Sequence, residues 1–129
     1  GSKVTLQLVD EAASQIEQDK YIMMIRTAPP QLQAAMAAVI QASRLSGGKP
    51  LDTGGAYDAY KVFCSRIALR PLTARAFGDL LAELDMYSFL RSRVLSRGRY
   101  GRTREISLDL PHELVEKIRE TILLNFELR

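Results

Sequence analysis

Apolar side chains recur along this chain at two different spacings, and the change from one to the other marks its architecture. From Leu8, the positions Val9, Ala12, Ala13, Ile16 and Met23 keep helical spacing up to Pro29-Pro30, which predicts a first helix ending near Thr27. Pro30 suits the first turn of a second helix, on which Leu32, Ala35, Met36, Val39 and Ile40 form one buried face. Arg44 to Gly55 reads as a loop, with Asp52 or Thr53 placed to cap the next helix. That third helix runs from about Gly55 to Ala68, with Tyr57, Tyr60, Phe63, Cys64 and Ile67 on its apolar side. Past the short Leu69-Arg70-Pro71-Leu72 connection, Thr73 is a good N-cap for a fourth helix, and Leu72 and Phe77 stand where a hydrophobic staple would fix the approach of the chain. Phe77, Leu80, Leu81 and Leu84 are its buried stripe. Arg75, Asp79 and Ala82 point the opposite way, with Ala74 and Gly78 beside them, so the exposed face is lean.

Beyond Ser88 the period becomes two: Ile106, Leu108 and Leu110 alternate with Glu105, Ser107 and Asp109, as in a strand with one wet face, and Arg91-Ser92-Arg93-Val94 resembles its partner. Gly98 and Gly101 punctuate the turn between them, predicting a β-hairpin. Pro111 opens a last helix carrying Leu114, Ile118, Ile122 and Phe126, with Glu113 and Lys117 spaced as an ion pair. The fold class is therefore mainly α with a small β-hairpin, in the order of a winged helix-turn-helix.

Chemistry narrows the function. One cysteine, Cys64, and one histidine, His112, exclude an internal disulfide and leave too few ligands for a zinc site, and no nucleophile, base and carboxylate set suggests catalysis. Neither catalytic nor metal residues are assigned, and Cys64 reads as a core residue. Gly47-Gly48-Lys49-Pro50 lacks the glycine and hydroxyl of a phosphate loop. No apolar run reaches membrane-spanning length and no signal peptide opens the chain, so a cytoplasmic protein without membrane contact is expected. Gly1-Ser2 resembles the remnant of a cleaved tag, and the natural protein is expected to extend upstream.

The net charge is only +3, but its distribution is uneven: residues 1–56 hold five basic and five acidic side chains, whereas 91–104 hold six arginines and no acid. Such clustering is the footprint of a polyanion binder, because each phosphate contact releases condensed counterions. Arg97, Arg99, Arg102 and Arg104 surround Tyr100 while Gly98 and Gly101 keep the hairpin narrow, which suits insertion into a minor groove. Arg91, Arg93 and Arg104 are also compatible with a solvated strand face. In the fourth helix, Thr73, Ala74 and Arg75 occupy the first turn, where Arg75 reaches a guanine edge or a phosphate and the backbone amides hold a phosphate.

A family resemblance lies in the same residues. Pro71-Leu72-Thr73, the run Asp79-Leu80-Leu81-Ala82-Glu83-Leu84-Asp85-Met86, and Ser96 to Ile106 through Arg97-Gly98-Arg99-Tyr100-Gly101-Arg102 resemble the C-terminal winged-helix domain of archaeal origin-recognition initiators, relatives of the eukaryotic origin recognition complex. The resemblance is strongest over residues 53–110. It implies duplex DNA binding at replication origins, with the helix from Thr73 in the major groove and the wing in the minor groove. It also implies a two-part organisation: residues 1–28 as the end of an AAA+ lid and its linker, and 29–129 as the DNA-binding domain. The complete protein would carry an upstream AAA+ ATPase module using ATP and magnesium, and would meet the replicative helicase and other initiator protomers at the nucleoid. Ala74 and Ala76 depart from the family pattern by replacing longer polar residues beside Arg75, which shifts the expected binding towards the wing, phosphate contacts and DNA shape. Two other readings compete: a protein-interaction winged helix docking an acidic partner, favoured by Asp79 and the lean fourth helix, and a dimeric winged-helix transcription regulator.

Overall fold

The structure, a computed structural model, describes the backbone of residues 2–96, 98 and 102–127, and the side chains of 8–95, 98 and 104–127. Its elements are α1 (Ser2–Arg26), α2 (Pro30–Leu45), β1 (Leu51–Asp52), α3 (Thr53–Arg66), α4 (Ala74–Met86), β2 (Arg91–Ser96), β3 (Arg102–Ser107) and α5 (His112–Asn125).

The centre of the molecule is α2. Alanines at 34, 35, 37 and 38 let neighbouring helices approach closely, and every residue from Leu32 to Ile40 is buried. The one-faced pattern expected of this helix is thus an all-round burial, because α3, α4 and α5 each pack on a different side of it. Pro30 opens α2 as expected. Gln33 is the single buried polar residue of the described core: its amide donates to the Ala28 carbonyl at 2.9 Å and accepts from Asn125 Nδ2 at 2.9 Å. It ties the α1–α2 turn to the end of α5, and both of its polar atoms have partners, as burial requires.

Helices α1 and α5 lie side by side and parallel. Lys117 Nζ reaches Gln18 Oε1 at 3.3 Å, and Asn125 Nδ2 reaches the Arg26 carbonyl at 3.1 Å, two contacts eight residues apart with the same offset along the chain. The expected Glu113–Lys117 pair is present at 3.9 Å. Near the end of α1, Ile25 is fully buried and Tyr21 meets Phe89 edge-on at 5.1 Å. The helical spacing of the rest of the α1 pattern marks the helix as expected, and its residues Leu8, Val9, Ala12, Ala13, Ile16 and Met23 are all exposed. A 25-residue helix is about 37 Å long against about 21 Å for α5, so roughly its first three turns, with Leu8 and Val9, extend past the start of α5, while Ala13, Ile16 and Met23 run beside α5 on the side turned to solvent. Periodicity marks a helix here, but not a face covered by the described residues.

The sheet holds three strands in the order β1-β3-β2, all antiparallel. The first, Leu51–Asp52, falls in the segment expected to be loop, and a strand of two residues is too short to show alternation. Leu51 pairs with Ile106 and Asp52 with Glu105, while Asp52 also caps α3 by accepting from the Gly55 N–H at 2.6 Å. One residue therefore ends a strand and starts a helix. Leu108 and Leu110 continue the alternation beyond β3 and pack half-buried against the core without strand pairing.

Helices α3, α4 and α5 each close with a non-glycine residue in the left-handed region: Ala68 (φ 54°), Ser88 (φ 65°) and Glu127 (φ 56°). After α3, the Leu69 N–H returns to the Cys64 carbonyl at 2.9 Å, which turns the chain sharply towards α4.

Candidate nucleic-acid interface

The connection from α3 to α4 is held by side chains that look, by sequence, like ordinary core. Tyr60 is fully buried, and its hydroxyl accepts from the Leu72 N–H at 2.9 Å and donates to Gln31 Oε1. Gln31 Nε2 donates in turn to the Arg70 carbonyl at 2.8 Å, and the Tyr57 hydroxyl donates to the Leu72 carbonyl at 2.8 Å. The rings of both tyrosines pack on Phe77 of α4, at 4.8 Å for Tyr60 and 5.4 Å for Tyr57. Burial raises the Tyr60 pKa above its ordinary value, with the Leu72 N–H opposing the shift, so the phenol keeps the proton it donates. Instead of the expected staple, hydrogen bonds to the backbone of Leu72 fix how the chain enters α4, and the Leu72 side chain stays exposed.

Thr73 caps α4 by accepting from the Ala76 N–H at 3.2 Å, as its sequence position implies. Thr73, Ala74, Arg75, Asp79 and Ala82 are exposed, and Phe77, Leu81 and Leu84 are buried, so the face left free is the one expected. Arg75 and Asp79 form no ion pair among the described residues.

Strand register separates arginines that the sequence could not. Residues directly opposite in an antiparallel ladder share a face of the sheet. Arg93 lies opposite Glu105 and Arg91 opposite Ser107, whereas Arg104 lies opposite Val94 and shares its face with Ile106, which is fully buried under the helices. Arg91 and Arg93 therefore point to the outer face, where Arg91 pairs with Asp109 at 2.7 Å. Arg104 points to the helix side. There it lines a surface concavity of about 450 Å³ together with Asp52, Thr53 and Gly54 at the start of α3 and Ala74, Phe77 and Gly78 of α4. The α4 N-terminus and the root of the wing thus open onto one surface. The start of α3, which in the sequence reads only as a cap, belongs to that surface because β1 docks it beside β3.

The ladder continues from Ile106 out to the Ser96–Arg102 pair, so the hairpin projects about 13 Å past its buried anchor. Gly98 has φ 61°, a backbone conformation that glycine takes without strain. Arg97, Arg99, Tyr100 and Gly101 lie outside the described residues, as does the side chain of Arg102.

Comparison with known proteins agrees with this arrangement. Residues 23–118 match the family described as CDC6, C terminal winged helix domain. An ORC1-type DNA replication protein of Thermococcus kodakarensis is 38% identical over 117 residues, covering 91% of this chain and 28% of the relative. A protein of the same description from Pyrococcus furiosus is 41% identical over 109 residues, covering 84% of this chain and 26% of the relative. The solved structure of the Aeropyrum pernix ORC1 protein in complex with DNA superposes with a TM-score of 0.77 at 35% identity, covering 91% of this chain and 29% of that one. The chain spans little more than a quarter of the length of the relatives it matches. Helix order, the three-stranded sheet and the match over 23–118 lead to one conclusion: this chain belongs to the CDC6 C-terminal winged-helix family, the winged-helix domain of ORC1/Cdc6-type replication initiators.

Proposed function

We propose that this domain binds duplex DNA at replication origins, with α4 in the major groove and the hairpin in the minor groove. The observation that carries the reading is the common surface formed by the exposed α4 N-terminus and Arg104 at the base of the projecting hairpin. A helix N-terminus with exposed Thr73, Ala74 and Arg75 offers backbone N–H groups and one guanidinium to phosphates, while Arg104 stands beside it at the groove edge. Arg97, Arg99, Tyr100 and Arg102, with Gly98 and Gly101, are assigned to the wing tip, because β2 and β3 bring both ends of residues 97–101 to the far end of the ladder. The Aeropyrum pernix relative was solved with DNA, which supports the same ligand here.

On this reading residues 1–28 are the end of an AAA+ lid and the linker that joins this domain to the upstream module. ATP and magnesium are assigned to the upstream module and to no residue of this chain. The replicative helicase and other initiator protomers are the partners expected of the whole protein, at the nucleoid. Among the described residues no helix is long and apolar enough to cross a membrane.

Fluorescence anisotropy with labelled duplex DNA at several salt concentrations tests the assignment. Arg104→Ala, and separately Arg99→Ala with Arg102→Ala, should weaken binding, each lost phosphate contact lowering the salt slope by about 0.9. Arg93→Ala, on the opposite face, should leave both affinity and slope unchanged. Wild-type behaviour in all the wing variants would refute the reading. A second reading, a protein-docking winged helix, rests on exposed Asp79 in the middle of α4. It predicts no duplex binding even at low salt.

A further inference from the structure

A groove of about 250 Å³ opens between α2, α3 and α5. Its floor is made of small apolar side chains, Ala37, Ala38 and Ala59, beside Phe63. Leu45 and Val62 stand at its edge, 79% and 62% exposed. Arg66 and Arg119 line the rim, no carboxylate lines it, and neither guanidinium makes an ion pair among the described residues. Single exposed aliphatics are normal on a protein surface. Here they border a concave apolar floor flanked by two unpaired cations.

We propose that this groove docks an amphipathic acidic segment of a partner protein, with its apolar side chains against the alanine floor and its carboxylates on Arg66 and Arg119. Charge decides the occupant. An apolar segment alone would fill the floor and leave both guanidiniums unmatched, and a basic one would be repelled by them, whereas a carboxylate can bind each planar fork through two hydrogen bonds. The dimensions suit one or two apolar anchors from a helix laid in the groove.

The groove is separate from the surface assigned to DNA. At about 100° per residue, the centre of Ala59, Val62, Phe63 and Arg66 lies more than 100° around α3 from the Tyr57–Tyr60 edge that holds α4. A duplex and this partner can therefore be bound together, and the inference stands whether or not the DNA assignment does.

The test uses the ¹⁵N-labelled chain titrated with a designed helical peptide of about five turns, composed of Leu, Ala and Glu with Leu along one face, and with a twin in which Lys replaces every Glu. The acidic peptide should bind and the basic twin should not, with amide shifts centred on Ala37, Ala59, Val62 and Leu123. Arg66→Glu with Arg119→Glu should weaken binding by about tenfold or more, the two exposed pairs being lost and reversed. Leu45→Ser with Val62→Ser, both at exposed positions, should weaken it with the charges intact. Equal binding of the two peptides, no binding of the acidic one, or shifts centred elsewhere would overturn the proposal. So would concentration-dependent shifts at these residues without peptide, which would make the occupant a second copy of the chain.

Discussion

Replacing Tyr60 by Phe removes one oxygen atom and keeps the ring that packs on Phe77 at 4.8 Å. The Leu72 N–H, which donates to that oxygen at 2.9 Å, then lacks its partner beside a fully buried side chain, and Gln31 Oε1 loses its donor. A donor left facing that buried ring without a partner costs about 1–3 kcal/mol, and Gln31 is only partly buried, so its oxygen can turn towards water at smaller cost. The expected loss of folding stability is about 2 kcal/mol, equivalent to a fall in Tm of about 8 °C for a chain of this size. Tyr57→Phe is the matched control. It removes a donor to the carbonyl of the same residue, Leu72, from a half-buried ring, and a carbonyl reached by water recovers a partner, so it should cost less than about 1 kcal/mol. Urea unfolding with an unchanged m-value measures both losses, and hydrogen exchange at the Leu72 amide reports the local one. A double-mutant cycle with Gln31→Ala should show coupling of about 1 kcal/mol. If Tyr60→Phe costs under about 0.5 kcal/mol, or leaves Leu72 as protected as in the parent, the hydroxyl does not hold the turn and α4 is placed by other contacts.

Ala68 sits at φ 54° just past α3, where a side chain is strained and glycine is not, and Ala68→Gly should stabilise the fold by about 1 kcal/mol in the same urea assay. Stability should also fall at alkaline pH. Burial raises the pKa of both Cys64 and Tyr60 above their ordinary values of 9.0 and 10.0, so the folded state keeps protons that the unfolded state gives up. The stability these groups contribute is complete below pH 9.0, declines first through Cys64, and declines further through Tyr60 above pH 10.0. Cys64→Ala should remove the earlier part of that decline and Tyr60→Phe the later part, as read from denaturation midpoints across the range.

Local chemistry wrote much of this fold into the sequence. Pro30 and Thr73 mark where α2 and α4 begin, and Phe77, Leu81 and Leu84 mark the buried side of α4, because caps and 3.6-residue periodicity act within a few residues of themselves. The hairpin and its concentration of arginines are legible in the same way. Other features depend on groups far apart along the chain. Strand β1 exists because Leu51 meets Ile106, a pairing that no window around either residue contains. Arg93 and Arg104 are indistinguishable as strand arginines until register sends one to Glu105 and the outer face and the other to the concavity beside α4. Tyr60 shows as an apolar ring at helical spacing, and its role in holding Leu72 appears only when α2 supplies Gln31 on one side and the turn supplies an N–H on the other. Sequence determined the five helices, the hairpin and where positive charge gathers, since those follow from short-range sterics and composition. Tertiary structure decided which charges share a surface and what fixes α4 in place, since each of those requires partners that only folding brings within reach.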